Sequence, residues 1–272
     1  MAIQSLDACQ TCPAYNAATL KRLGVDVSGF DYVVALAGNP NTGKSTVFNA
    51  LTGLRQHVGN WSGKTVTRAE GGFNYQDKKY KLVDLPGTYS LLSTSLDEEV
   101  ARDFILFGQP TVTIVVVDAT RLERNLNLTL QILEITDHVV IALNLIDEGE
   151  RHGIFIDARQ LSRQLGVPVI PMIARQSQGV PELLDAIQQV ASGQYSTKPH
   201  RINYHDRKLE HVLDTMSNAI LQEYPNLPNV RWVAMRLLEG DSSIEQAVHD
   251  HTLGQTLSRK VRVDADIVEL VS

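Results

Sequence analysis

The chain has 272 residues, of which 43% are hydrophobic and 21% are charged. These values are ordinary for a globular protein and allow one large domain or two of average size. The net charge of −6 argues against a protein that mainly coats nucleic acid. The longest apolar runs are too short to span a bilayer, and the N-terminus lacks the features of a secretory signal. We therefore expect a soluble, cytosolic chain with no nucleic-acid partner.

Residues 1–30 show no strong periodicity and form a predicted N-terminal extension. They contain the two cysteines of the sequence, Cys9 and Cys12, at C-x-x-C spacing. Without a second such pair, they are too few for a four-ligand metal site or a disulfide framework. Two reduced thiols in a tail are the favoured interpretation, with metal capture or redox sensing as alternatives.

The most informative motif is G-x-x-x-x-G-K-S at residues 38–45. It follows the apolar run 32–37, which predicts a strand, and precedes the helix-compatible segment 44–54. A strand, a glycine-rich turn and a helix are the context in which this pattern cradles phosphates. The sequence therefore predicts a nucleotide-binding protein.

Each residue type in this motif has a chemical reason. Gly38 and Gly43 allow the backbone to turn tightly and approach an anion, so that N–H groups and the helix N-terminus face the phosphates. Lys44 adds a positive charge toward the β- and γ-phosphates, and the Ser45 hydroxyl can bind Mg²⁺. The residues predicted to contact the nucleotide here are Gly38, Asn39, Pro40, Asn41, Thr42, Gly43, Lys44, Ser45 and Thr46.

Two further segments follow the phosphate motif. Residues 55–67 are polar, contain two glycines and lack an apolar run, which predicts a mobile loop that carries Thr65. Alternating residues predict a hairpin within 69–84, ending at Asp84-x-x-Gly87. Because an open α/β sheet binds its ligands at the carboxyl ends of its strands, Asp84 is expected at the site.

The rest of the chain alternates between strand and helix patterns. Strands are predicted at 111–118, 139–144 and 167–171, and helices at 95–107, 122–136, 157–165 and 180–191. After a linker near 192–199, three segments have helical character: 207–223, 230–238 and 243–251. We predict an α/β nucleotide-binding domain with a mostly parallel sheet flanked by helices at 31–196, followed by a small all-helical domain at 197–272.

The base is read by a separate pattern. Asn144 and Asp147 follow the predicted strand 139–144 with N-x-x-D spacing. The Asp147 carboxylate can accept hydrogen bonds from guanine N1–H and its 2-amino group, whereas adenine has no equivalent pair of donors. Asn144 can brace the loop near the O6 edge. The spacing also occurs at Asn74–Asp77 and Asn203–Asp206, but these do not close a buried strand. The predicted base-site residues are Asn144, Leu145, Ile146 and Asp147.

Phosphoryl transfer needs charge neutralisation and an aligned water more than covalent chemistry from the protein. We predict that Mg²⁺ is held by Ser45 and, in a closed state, by Thr65, with Asp84 behind a coordinating water. The Gly87 N–H can sense the γ-phosphate. Because such contacts require the triphosphate, the loops that carry Thr65 and Gly87 should order with it and act as a switch.

One expected part of a GTPase site is missing. Many GTPases place a water-orienting glutamine directly after Asp-x-x-Gly, but Thr88 follows Gly87 here. We therefore expect slow hydrolysis, or water orientation by backbone groups or an added cation. Asn41 could hold a monovalent cation that bridges phosphate oxygens.

Five stretches resemble the cytosolic G domain of the bacterial ferrous iron transport protein B (FeoB) family: residues 37–46, 58–66, 83–91, 144–147 and 232–241. The resemblance extends from about residue 25 to residue 240. It implies a TRAFAC-type P-loop GTPase fold and a helical domain likened to nucleotide-dissociation inhibitors. In this family both precede a membrane region that carries Fe²⁺, so this chain resembles a fragment from the cytoplasmic face of the bacterial inner membrane.

The resemblance also implies GTP/GDP, Mg²⁺ and K⁺ as cofactors, with Asn41 matching the K⁺ ligand. It implies catalytic roles for Lys44, Thr65 and Gly87. The base-backing motif would fall at Ile173, Ala174 and Arg175, with Ile where Ser is common, which predicts modest base affinity and fast nucleotide release. The remaining predicted nucleotide contacts are Gly63, Lys64, Thr65, Val66, Thr67, Asp84, Leu85, Pro86 and Gly87.

Expected partners are the membrane transport region of the same protein, a second copy, or small accessory proteins of iron uptake. The rival hypothesis is a free TRAFAC GTPase of ribosome or tRNA assembly. That role favours a basic appended domain, whereas residues 203–250 hold eight acidic against four basic residues. A third interpretation is a nucleotide-binding interaction module with negligible turnover, which Thr88 leaves open.

Overall fold

The computed structural model describes residues 19–250, apart from 54–55, 63, 93–94, 202–205 and 226, together with Leu253. Four residues singled out from the sequence, Cys9, Cys12, Gly63 and Asn203, lie outside the described residues. The predicted ends of two helices, at residues 54 and 251, lie outside them as well.

Within the described residues a seven-stranded sheet forms the centre of the first domain, in the order β2-β3-β4-β1-β5-β6-β7. Strands β1, β4, β5, β6 and β7 are parallel, and β2 and β3 join antiparallel beside β4. The strands are β1 (Tyr32–Gly38), β2 (Gln56–Asn60), β3 (Thr67–Tyr75), β4 (Lys78–Asp84), β5 (Val112–Asp118), β6 (Val139–Asn144) and β7 (Val169–Pro171). This arrangement confirms the predicted mostly parallel sheet.

Helices cover both faces of the sheet. They are α1 (Lys44–Thr52), α2 (Leu96–Gly108), α3 (Leu122–Ile135), α4 (Ile146–Arg151), α5 (Ala158–Leu165), α6 (Val180–Ala191), α7 (Arg207–Glu223), α8 (Val230–Leu238) and α9 (Ser242–His249). Apolar residues of α1 and α6 pack on one face, and those of α2, α3 and α5 pack on the other. Every residue of β5 and β6 is buried, because both strands are covered on both faces.

The predicted element boundaries are correct to within a few residues along most of the chain. Ser95 caps α2, since its hydroxyl accepts from the Glu98 N–H at 3.2 Å. Gln76 and Asp77 both have positive φ, which is the geometry of a tight hairpin turn between β3 and β4. On α3, Leu133 is fully buried in the core, and Leu122, Leu126 and Leu130 are partly buried and pack against the same cluster.

The loop predicted over residues 55–67 was wrong in its first part. Residues Gln56–Asn60 form the edge strand β2, paired antiparallel with β3. The side chains of β2 from residue 57 onward are exposed, with Val58 65% exposed. Backbone pairing with β3 forms this strand without side-chain burial, so no apolar alternation was present to reveal it.

The end of the N-terminal extension packs against the domain. Leu20, Leu23 and Val25 are buried in the same cluster as Trp61, which is 1% exposed. The Arg68 guanidinium donates to the Leu23 carbonyl at 3.2 Å, and its centre lies 5.3 Å from the Trp61 ring centroid. The end of the extension is therefore packed into the same apolar cluster as Trp61, which lies four residues before Thr65.

The helical domain shares a continuous apolar cluster with α2 and α3. Asn229 Nδ2 donates to the carbonyls of Glu134 and Ile135 at 2.8 and 2.7 Å. On the other side, Arg102 of α2 is 1% exposed and lies 3.2 Å from the Ser243 hydroxyl and 3.8 Å from Asp241. The domain limits at 31–196 and 197–272 remain predictions.

Among the helices of the described part, none combines the length and apolar character that crossing a bilayer requires.

Candidate nucleotide-binding site

The predicted phosphate motif forms a loop between β1 and α1. Gly43 precedes α1 with φ +83°, a conformation that disfavours L side chains. A Cβ atom at Gly43 would lie 2.3 Å from Asn144 Nδ2, and one at Gly38 would lie 2.7 Å from the Val116 carbonyl oxygen. Both positions therefore require glycine, and the backbone at the start of α1 stays open to an anion.

Asn144 connects this loop to the predicted base region. Its Nδ2 donates to the Thr42 carbonyl at 3.0 Å, and its Oδ1 accepts from the Ala174 N–H at 3.0 Å. Asn144 is 2% exposed, so both hydrogen bonds are shielded from water. The structure thus brings the 38–46, 144–147 and 173–175 segments together at one edge of the sheet.

Lys44 and Asp84 meet across the site. Lys44 Nζ lies 2.5 Å from Asp84 Oδ1, and the two side chains are only 13% and 18% exposed. Burial raises the pKa of Asp84 above its ordinary value, and the positive charge of Lys44 opposes that shift. A lysine expected at the phosphates and a carboxylate expected near Mg²⁺ are therefore partners in this structure.

Asp147 lies in the first turn of α4. Its Oδ2 is contacted by the Arg175 guanidinium and lies 3.2 Å from Arg151 Nη2. Its Oδ1 is enclosed and has no hydrogen-bond partner among the described residues. The predicted base-reading carboxylate is therefore held by side chains of the protein itself.

The remaining residues of the two predicted switch segments differ in their contacts with the site. Gly87 adjoins the phosphate loop, because a Cβ there would lie 3.5 Å from Pro40 Cα. Thr65 is exposed and has no hydrogen-bond partner in the described part of the chain. Lys64 Nζ lies 2.8 Å from Glu99 Oε2 and so ties this segment to α2. Thr88 is 5% exposed.

A polar cleft of about 360 Å³ runs beside the phosphate loop and contains residues that sequence reasoning missed. They lie at or after the carboxyl ends of β4, β5 and β6: Tyr89, Asp118, Thr120, Arg121, Arg124, Asn125, Glu148 and His152. The Arg124 guanidinium lies 4.3 Å from the Tyr89 ring centroid. Their position just after the carboxyl ends of buried strands was the available signal.

An α/β sheet of this order carries a glycine-bounded phosphate loop, and Asn144 at the end of β6 joins that loop to the 173–175 segment. Together these features define the class of protein. It is a P-loop fold of the GTPase type.

Comparisons with known proteins then identify the family. The family model described as ferrous iron transport protein B matches residues 32–187, and that of the FeoB cytosolic helical domain matches residues 205–268. Since the first match covers more than half of the chain, the chain belongs to the ferrous iron transport protein B (FeoB) family.

Individual relatives agree with this assignment. The Fe(2+) transporter FeoB of Salmonella typhimurium is 44% identical over 212 residues, which are 76% of this chain and 27% of that protein. The cytosolic domain of L. pneumophila FeoB is 35% identical with a TM-score of 0.72, covering 87% of this chain and 93% of that one. The T. maritima FeoB cytosolic domain in its GMPPNP form is 36% identical with a TM-score of 0.72, covering 86% and 88%. The chain thus spans about a quarter of the length of the curated relatives.

Proposed function

We propose that the chain binds GTP and hydrolyses it slowly, as the nucleotide-dependent switch of a bacterial ferrous iron uptake protein. The observation that carries the proposal is the joining of the phosphate loop to the Ala174 backbone through Asn144, which lies three residues before Asp147. This arrangement supports a single site that combines a phosphate cradle with a purine-reading carboxylate. The T. maritima relative, solved in GDP and GMPPNP forms, supports the same ligand class.

Nucleotide binding would exchange the partners of Lys44 and Asp84. The two groups neutralise each other at 2.5 Å in this structure, in a largely buried setting. A phosphate oxygen would compete for the lysine, and the Asp84 carboxylate would then become available to help hold Mg²⁺. Ser45, Thr65 and Asp84 would hold Mg²⁺, which supplies charge neutralisation of the phosphates when bound. Thr65 is exposed in this structure.

Two residues support slow and potassium-dependent turnover. Thr88 stands in place of a water-orienting glutamine, is buried, and has no side-chain amide with which to orient water. Asn41 lies in the phosphate loop with φ +66° and is the proposed K⁺ ligand. A cation held there would offset the charge that develops between phosphate oxygens.

Steady-state hydrolysis of GTP and ATP, each in K⁺ and in Na⁺, tests the proposal. We expect GTP to be preferred, K⁺ to accelerate turnover, Lys44→Ala to abolish binding by calorimetry, and Asn41→Ala to remove only the K⁺ effect. Equal use of ATP would refute the base assignment, unchanged affinity of Lys44→Ala would refute the phosphate cradle, and absence of a K⁺ effect in the parent would refute the cation. Turnover indistinguishable from buffer would favour an interaction module.

The transport role is part of the same proposal. We place the chain at the cytoplasmic face of the inner membrane, where switching would act on the membrane region of the full-length protein, with self-association or small accessory proteins as further partners. The packing of the helical domain on α2, directly after the proposed switch segment, supports such a route. An RNA-directed role is disfavoured, because acidic residues outnumber basic ones in the helical domain.

A further inference from the structure

Arg175 is paired with the carboxylate of Asp147, which is the group proposed to read the base. Its Nη2 contacts Asp147 Oδ2, and its Nη1 lies 3.6 Å from Glu148 Oε1. Arg151 approaches the same Oδ2 at 3.2 Å, and its Nε donates to the Asp147 carbonyl at 3.1 Å. Two arginines and two carboxylates thus form one network at the start of α4.

Neither oxygen of Asp147 is free for a ligand. Oδ2 is shared by the two guanidinium groups, whereas Oδ1 is enclosed and has no hydrogen-bond partner among the described residues. Guanine presents two donors, N1–H and the 2-amino group, and therefore needs both oxygens. A base can bind Asp147 in this way only after Arg175 has released it.

We propose that Arg175 is an internal competitor of guanine for Asp147 and lowers the affinity of the site for guanine nucleotides. This inference rests on the proposed GTP-binding function and adds a specificity-determining residue to it. Arg175 is half exposed, so its released guanidinium returns to water at little cost. The competition is correspondingly modest, and removing it should tighten binding about two- to fivefold.

The competition acts only on ligands that use the Asp147 charge. An Asn at position 147 carries no charge to hold Arg175, and its amide suits xanthine rather than guanine. Removing Arg175 in the Asp147→Asn background should therefore leave the affinity for xanthosine diphosphate unchanged. A structural or stacking role of Arg175 predicts a different result, since its loss would weaken both nucleotides.

Calorimetric titration with GDP tests the inference on the parent chain, Arg175→Ala and the control Arg163→Ala. Arg163 is an exposed arginine of α5, so the control removes the same charge away from Asp147. We expect about two- to fivefold tighter GDP binding in Arg175→Ala alone.

Unchanged or weaker GDP binding by Arg175→Ala would overturn the inference, and so would an equal gain in Arg163→Ala. A gain for xanthosine diphosphate in Asp147→Asn/Arg175→Ala over Asp147→Asn would overturn it as well. If the parent chain fails to bind GDP, the proposed function itself fails and the inference falls with it. If GDP binds and only the Arg175 result differs, the proposed function stands.

Discussion

Replacing Asn144 by Ala should both destabilise the empty protein and disconnect the phosphate loop from the base region. The side chain is 2% exposed and makes two hydrogen bonds of 3.0 Å, one to the Thr42 carbonyl and one from the Ala174 N–H. Alanine can form neither hydrogen bond, so the Thr42 carbonyl and the Ala174 N–H both lose their partner.

The magnitude follows from burial. A buried backbone group that loses its partner costs about 1–3 kcal/mol. Two such groups give roughly 2–6 kcal/mol in the free energy of unfolding. For a protein of this size the melting temperature should fall by roughly 4–24 °C.

Urea unfolding of the nucleotide-free protein measures this effect, with GDP affinity as the second readout. Asn144→Asp serves to separate the two bonds, because its carboxylate still accepts from Ala174 but cannot donate to Thr42. Asn127→Ala, an exposed position on α3, is the control and should change stability by less than about 0.5 kcal/mol. A loss below about 1 kcal/mol in Asn144→Ala would show that the link is not a structural element of the empty site.

Two further predictions concern the packing around the switch segments. Arg102→Leu should destabilise the protein by about 3–5 kcal/mol at neutral pH, because it leaves the fully buried Asp103 carboxylate without its closest cation. Burial raises the pKa of Asp103, so its contribution to stability is complete below its ordinary value of 3.8 and is lost as the pH rises through the native pKa. The cost of Arg102→Leu, measured by urea unfolding, should accordingly shrink as the pH is lowered, and a pH-independent cost would contradict this reasoning. Leu23→Ala should cost about 2–5 kcal/mol and expose Trp61, seen as a red shift of its emission in a Trp232→Phe background that leaves one of the two tryptophans. An unshifted emission would mean that the extension does not cover Trp61.

Local patterns were sufficient for the elements that bury apolar side chains. The continuous apolar runs of β5 and β6 predicted strands covered on both faces, and both are fully buried. Ser95 predicted the start of α2 because its capping bond is made within one turn of the chain. The strand β2 was missed because backbone pairing with β3 stabilises it. Such pairing requires no apolar alternation in an exposed polar sequence.

The candidate site also has features that local sequence predicts and features that it does not. The phosphate loop was predictable because glycine, lysine and serine at fixed spacing meet needs that are local to one turn. That Lys44 pairs with Asp84, or Arg175 with Asp147, was not predictable, because these partners lie 40 and 28 positions apart and meet only when the sheet is assembled. The burial of Leu23 in the same apolar cluster as Trp61 had no sequence signal for the same reason.

By itself, the sequence determined the glycine-bounded turn between β1 and α1 and the alternation of strands and helices, since turn geometry and apolar periodicity depend on near neighbours. Only the tertiary structure decided which of those charges are already engaged with one another. Ion pairs form between residues that folding brings within a few ångströms, and their strength depends on how much water the surrounding chain excludes. Spacing along the chain carries no information on either quantity.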